Sequence, residues 1–246
     1  MEYLKLPNLP DKKVNKIIIA QDCPDEIIKS LYNYGVELIK SARLNKIDDA
    51  TSTHPDMSVL HMGKNRFFCA NSAFDYYIQM LENADIQPLS KEIRSPYPLD
   101  AGLNAAILGK NVFLCAKSIN EQIFEEVEHL QFRVIQVKQG YAKCNLVPVS
   151  ENALITEDAS IYHAAIHNGL DALKIHPGNI SLNGYPHGFI GGACGKLDKN
   201  TLAITGKLSY LPEAESIIAF CKNHGVELLE LGNLRPCDIG SILPIA

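Results

Sequence analysis

The chain has 246 residues, 46% hydrophobic and 21% charged, with a formal net charge of −5. That balance suits one globular domain over 1–246 with a sizeable core. With no basic run longer than Lys12-Lys13, it argues against a DNA-binding surface. No apolar run approaches the ~18 residues a membrane span needs. The opening "MEYLKLPNLPDKK" lacks the apolar region of a signal peptide, and none of the seven cysteines forms a CxxC pair. A reduced, cytoplasmic chain without a zinc ribbon is expected.

The elements repeat. "GKNRFFCA" at 63–70 returns as "GKNVFLCA" at 109–116, with six of eight positions identical. Used as a template, the octet finds further Asn-led apolar runs at Asn15 ("VNKIIIAQ"), Asn152 ("ENALITE") and Asn200 ("KNTLAIT"). The intervals are 50, 46, 41 and 48 residues. Such spacing marks a repeat architecture. Asn tolerates left-handed backbone, so each is expected at a hairpin tip.

Each run leads to a helical pattern: 24–34, 74–83, 119–130, 161–168 and 212–223. Apolar residues recur three or four apart, as in Ile27/Leu31 and Ile123/Val127. Asp25, Ser118 and Glu213 read as starts, Gly35 and Gly225 as stops. A short strand follows each helix: "GVELI", "IQPLS", "RVIQV", "DALKI" and "GVELL". A polar connection then returns to a strand before the next Asn: "MSVLHM", "LNAAIL", "CNLVPV" and "GACGKL". The C-terminal "GSILPI" is one more such strand, with no Asn after it. Residues 226–246 and 1–35 therefore complete a fifth unit, so the strand near Lys16–Ala20 should pair with Ser241–Ile245. Ring closure removes exposed sheet edges.

Five strand–strand–helix–strand units closed in a ring resemble the pentein fold, an α/β propeller of five ββαβ units around a pseudo-five-fold axis. It is the fold of guanidino-group-modifying enzymes: arginine and agmatine deiminases, dimethylargininases and amidinotransferases. The ribosome anti-association initiation factor resembles it in architecture without catalysing a reaction. The resemblance implies a site at one end of a channel lined by the first strands. Carboxylates there accept the forked donors of a guanidinium, a Cys attacks its carbon, and a His moves the proton. No cofactor or metal is implied.

By position, "HPDMSVL" is similar to the family's Asp-bearing first strand and implies Asp56. "LDAGLNAAIL" resembles its acidic-Gly-Gly-Asp strand, with Asp100 at the acid and Asn104 near the following Asp. "RPCDIGSIL" resembles the nucleophile segment and implies Cys237 beside Asp238, although Gly240 fits the same slot. The third unit departs from the family: "GYAKCNLVPV" has Tyr141 in place of the His, then Lys143. His54 or His187 is then the candidate stand-in. Catalytic candidates are thus Cys237, Asp100, Asp56 and His54; substrate-binding candidates are Asn104, Tyr141, Lys143 and Asp238.

Other patterns read as structure. "HAAIH" spaces His163 and His167 one turn apart but has Ala164 where a zinc protease has Glu. "GGACG" lacks a strand–helix phosphate context and suits backbone crowding near the axis. Two functions stay open: hydrolysis or transfer of a guanidino or amidine compound, and a non-catalytic binding ring.

Overall fold

The computed structural model describes residues 2–246. Strands β1 (Lys16–Ile19) and β2 (Glu37–Lys40) flank helix α1 (Asp25–Tyr34). The helical turn α2 (Pro55–Ser58) leads into β3 (Val59–Gly63), β4 (Arg66–Cys69), α3 (Phe74–Met80) and β5 (Asp85–Pro88). Next come β6 (Ala106–Leu108), β7 (Asn111–Leu114), α4 (Glu121–His129) and β8 (Arg133–Gln136). The fourth group is β9 (Leu146–Ser150), β10 (Ala153–Thr156), α5 (Ala159–His167) and β11 (Asp171–Lys174). The last is β12 (Cys194–Lys196), β13 (Thr201–Ile204), α6 (Ala214–Asn223) and β14 (Glu227–Glu230), followed by β15 (Leu243–Pro244).

These strands make five three-stranded sheets of one pattern. In each, the first strand is antiparallel to the middle one, and the middle strand is parallel to the strand after the helix. The split unit closes as expected, with Ile17 opposite Pro244 and Ile18 opposite Leu243. First strands of neighbouring sheets lie side by side: β6 by β9, β9 by β12, β12 by β15. Val59, Ala106, Leu146 and Ile242 are all buried there. Four helices hold their sheets through an i, i+4 pair: Ile27/Leu31, Ile123/Val127, Ile161/Ala165 and Ile217/Cys221. Each large aliphatic side chain so buried contributes about 1.5–3 kcal/mol.

Three local expectations are corrected. Residues 55–58 form a helical turn, so β3 starts at Val59. Ser118 does not cap α4; the Asn120 side chain does, accepting from the Gln122 amide. The left-handed residues of the first two hairpins are Gly63, Lys64 and Gly109, not the Asn that follows. In four of the five units Asn instead marks where the third strand attaches; in the unit of Asn111 it is Lys110, whose carbonyl accepts from the Arg133 amide. The carbonyls of Asn15, Asn65, Asn152 and Asn200 accept from the amides of Glu37, Asp85, Asp171 and Glu227.

The two ends of the ring differ. The hairpin end is covered by the N-terminal segment, which bonds through Leu4 to Ile245 and Lys64, Asn8 to Ile107 and Val14 to Leu197. The other end is built from the residues just before each first strand. Between the ends the backbones crowd: a Cβ on Gly195 would lie 2.0 Å from the Ile242 carbonyl oxygen. Gly195→Ala is therefore expected to destabilise the chain by at least ~1–3 kcal/mol, the usual cost of overpacking. A urea midpoint equal to that of the unaltered chain would contradict an axis packed backbone to backbone.

Candidate functional site

Five pre-strand segments converge at the open end: 54–58, 100–105, 141–145, 187–193 and 237–241. Asp56, on the turn before β3, is 3% exposed. Its Oδ2 accepts from Ser241 Oγ (3.0 Å) and lies 3.1 Å from the Cys144 thiol, while buried Oδ1 has no partner among the described residues. Asn104 joins three segments. Its Oδ1 accepts from the amides of Lys143 (2.7 Å) and Cys144 (3.2 Å), and its Nδ2 donates to the Asp56 carbonyl (3.3 Å) and Cys144 Sγ (3.1 Å). Lys143 is buried, its Nζ 2.8 Å from Ser241 Oγ.

A second group lies beside this one. Asp238 and His54 are both buried, with Oδ1 and Nδ1 3.7 Å apart. Asp238 also accepts from the amides of Gly240 and Phe189 (both 2.9 Å). Gly192 must be glycine here, because a Cβ would come within 1.9 Å of Asp238 Oδ1. Tyr141 donates to Asp100 Oδ2 (2.9 Å), and the buried Asp100 Oδ1 has no partner among the described residues. Glu157, just after β10, accepts from the Ile190 amide (2.8 Å), and its buried Oε1 likewise has no partner among the described residues.

Burial sets the electrostatics. It raises the carboxyls of Asp100 and Asp238 and takes Glu157 to about 7, the last opposed by the Ile190 amide and His187. It pushes the Cys144 thiol well above its ordinary value, with Asp56 adding to the rise. It lowers the Lys143 ammonium against the opposing pull of Asp56.

The structure brings together Asp56, His54, Asn104, Lys143 and Asp238, with Asp100 and Tyr141 at the adjoining rim. Cys237 does not join them, contrary to the expected convergence. Its side chain turns outward, with Sγ 4.0 Å from the Thr205 carbonyl, and packs beside the apolar cluster of Ile17, Ile19 and Leu231. No His or carboxylate is its hydrogen-bond or ion-pair partner among the described residues, and burial raises its thiol. The reason is alternation: in extended backbone, neighbouring side chains point opposite ways, so Asp238 faces inward and Cys237 outward. His187 bonds its own neighbour's carbonyl, Gly188 O (3.0 Å). Sequence reasoning missed Glu157 and Ser241. Both precede or follow apolar runs that read only as strands. Among the described residues, no group of three or more His, Cys, Asp or Glu is placed to hold a metal ion, and no helix is long and apolar enough to cross a membrane.

The chain belongs to a family of unknown function, DUF6873, whose model matches residues 18–243. Among curated proteins none matches it. Several solved structures share its ring. An agmatine deiminase of C. jejuni is 9% identical, covering 95% of this chain and 94% of that one, with a TM-score of 0.56. An inosamine-phosphate amidinotransferase of Streptomyces griseus is 11% identical over 97% and 92%, with a TM-score of 0.54. A DDAH of Pseudomonas aeruginosa, complexed with citrulline, is 11% identical over 89% and 92%, with a TM-score of 0.55. At such identities the likeness fixes the fold: the chain is a pentein-type ring.

The Glu157 carboxyl supplies a pH test. Its pKa is raised on folding from 4.5 to about 7, so the folded state holds more protons than the unfolded one in that window. Stability therefore falls as pH rises from about 4.5 to about 7. Glu157→Gln is expected to remove this carboxyl's share of the fall, up to about 3 kcal/mol at 1.36 kcal/mol per unit, and leave the shares of Asp100 and Asp238. Parallel urea profiles for both proteins at pH 5 and pH 8 would contradict the assignment.

Proposed function

We propose that the chain binds a small guanidino- or amidine-bearing compound at the open end of the ring. The observation that carries this reading is the gathering at this end of three buried carboxylate oxygens with no partner among the described residues, Asp56 Oδ1, Asp100 Oδ1 and Glu157 Oε1; Glu92 and Glu213 each have one more such oxygen elsewhere. Burying an acceptor without a partner costs about 1–3 kcal/mol each. A planar cation with N–H donors in a fork relieves that cost at several atoms together. The comparisons add that an agmatine deiminase and amidinotransferases share the ring.

A thiolate route is disfavoured. Nucleophilic cysteines work as thiolates, and both Cys144 and Cys237 are pushed up by burial. The geometry thus favours capture of the cation by carboxylates over attack by sulfur. Calorimetric titration with agmatine and arginine tests this. Binding is expected, and Asp100→Asn should weaken it roughly tenfold or more, the loss of one charge-assisted hydrogen bond. No heat with either compound, or equal affinity in the variant, would overturn the reading.

A further inference from the structure

Ser241 is the one residue of the cluster whose backbone and side chain are both unusual. Its φ is 78°, left-handed backbone at a residue other than glycine. Such strain persists only where the surroundings over-determine it, and it gathers at functional sites. Here its amide donates to the Gly192 carbonyl (2.8 Å), and its hydroxyl is fully buried. That hydroxyl carries one proton but has three polar neighbours: Asp56 Oδ2 at 3.0 Å, the Gly191 carbonyl at 2.9 Å and Lys143 Nζ at 2.8 Å.

Lys143 is unusual in the complementary way. An ammonium has three N–H donors, yet Nζ of this buried side chain has one hydrogen-bond partner, Ser241, and no ion pair within 4.0 Å among the described residues. Nζ lies within proton-transfer reach of the Ser241 hydroxyl, and burial lowers the ammonium, against the opposing pull of Asp56 and Asp238, in the direction of an amine that can accept a proton. On the side of the N-terminal segment, Lys143 and Asp56 line with Asn8 and His61 a cavity of about 20 Å³, room for a single water.

We propose that Ser241 and Lys143 form a serine–lysine pair, with the Ser241 hydroxyl as nucleophile and the Lys143 amine as its base. As written for a guanidino compound, the reaction rests on the reading above. Nζ takes the proton from Oγ as Oγ bonds to the central carbon. The carbon–nitrogen bond to the leaving amine breaks with its electron pair on nitrogen, which receives that proton from Nζ. Water then gives a proton to Nζ and its oxygen to the carbon. The carbon–Oγ bond breaks, Oγ recovers the proton, and the products are the amine and the corresponding urea. Asp56, facing both groups, holds the cation, while Asp238 and His54 adjoin it.

Methanesulfonyl fluoride tests the pair without assuming a substrate, because it sulfonylates activated serine hydroxyls and releases fluoride. The full chain should gain a single adduct, mapped by mass spectrometry to Ser241. Its rate should rise with pH and level off below the ordinary lysine range. Lys143→Met should slow it at least tenfold, whereas Cys237→Ala should label like the unaltered chain. Ser241→Gly, which accepts the left-handed backbone, should give no adduct while keeping the circular dichroism of the fold. No adduct at Ser241, or an equal rate in folded Lys143→Met, overturns the pair. Labelled Ser241 in a protein that does not bind agmatine overturns the ligand class and leaves the pair; agmatine binding with Ser241 unlabelled does the reverse.

Discussion

Five first strands meet on one axis, and that convergence governs what the axis can contain. Backbone comes so close to backbone at Gly195 that no side chain fits. Large apolar residues are therefore placed between the sheets and their helices, as with Tyr77, Phe113, Ile27 and Leu31. At the open end the ring leaves room for short polar groups, and five separate segments supply them. Asn104 connects its neighbours through both ends of its amide. A buried network of this kind is stable only when its members are satisfied, which makes the unpaired carboxylate oxygens its most informative feature.

The polarity of the units explains why the buried polar groups gather at one mouth. In each sheet the first strand runs from the open end towards the hairpin. The residues preceding it, rather than those within it, reach the site. The hairpin end is occupied by the N-terminal segment. The alternation of extended backbone then decides which of two neighbours faces in, so that at 237–238 the carboxylate does and the thiol does not.

Much of the fold was legible in the sequence because its repeat is written in residues with local roles. The octet shared by 63–70 and 109–116, and the strand–helix–strand order after it, located all five units and the split closure. The Asn signal marked a position rather than a turn: in four units the Asn carbonyl receives the third strand, and in the unit of Asn111 that carbonyl is Lys110's. Of the site, Asp56, Asn104, Lys143 and Asp238 were implied by resemblance to the pentein units, with His54 as a stand-in, and they lie together because each sits just before a first strand. Ser241 was not, because a left-handed serine leaves no trace in composition or periodicity. Glu157 was hidden for a similar reason: nothing local says that an acid after "LIT" is buried against the Ile190 amide. The outward turn of Cys237 depends on a one-residue register that resemblance alone does not set.

The proposed function requires the carboxylates of the open end to receive a planar cation. A crystal structure of the protein grown with agmatine tests this most directly. The account predicts the guanidinium at the open end of the ring, with its N–H groups on Asp56 Oδ1 and Asp100 Oδ1 and the Asn104 contacts intact. An axis with those oxygens still unpaired, and agmatine absent or seated elsewhere on the surface, would contradict it.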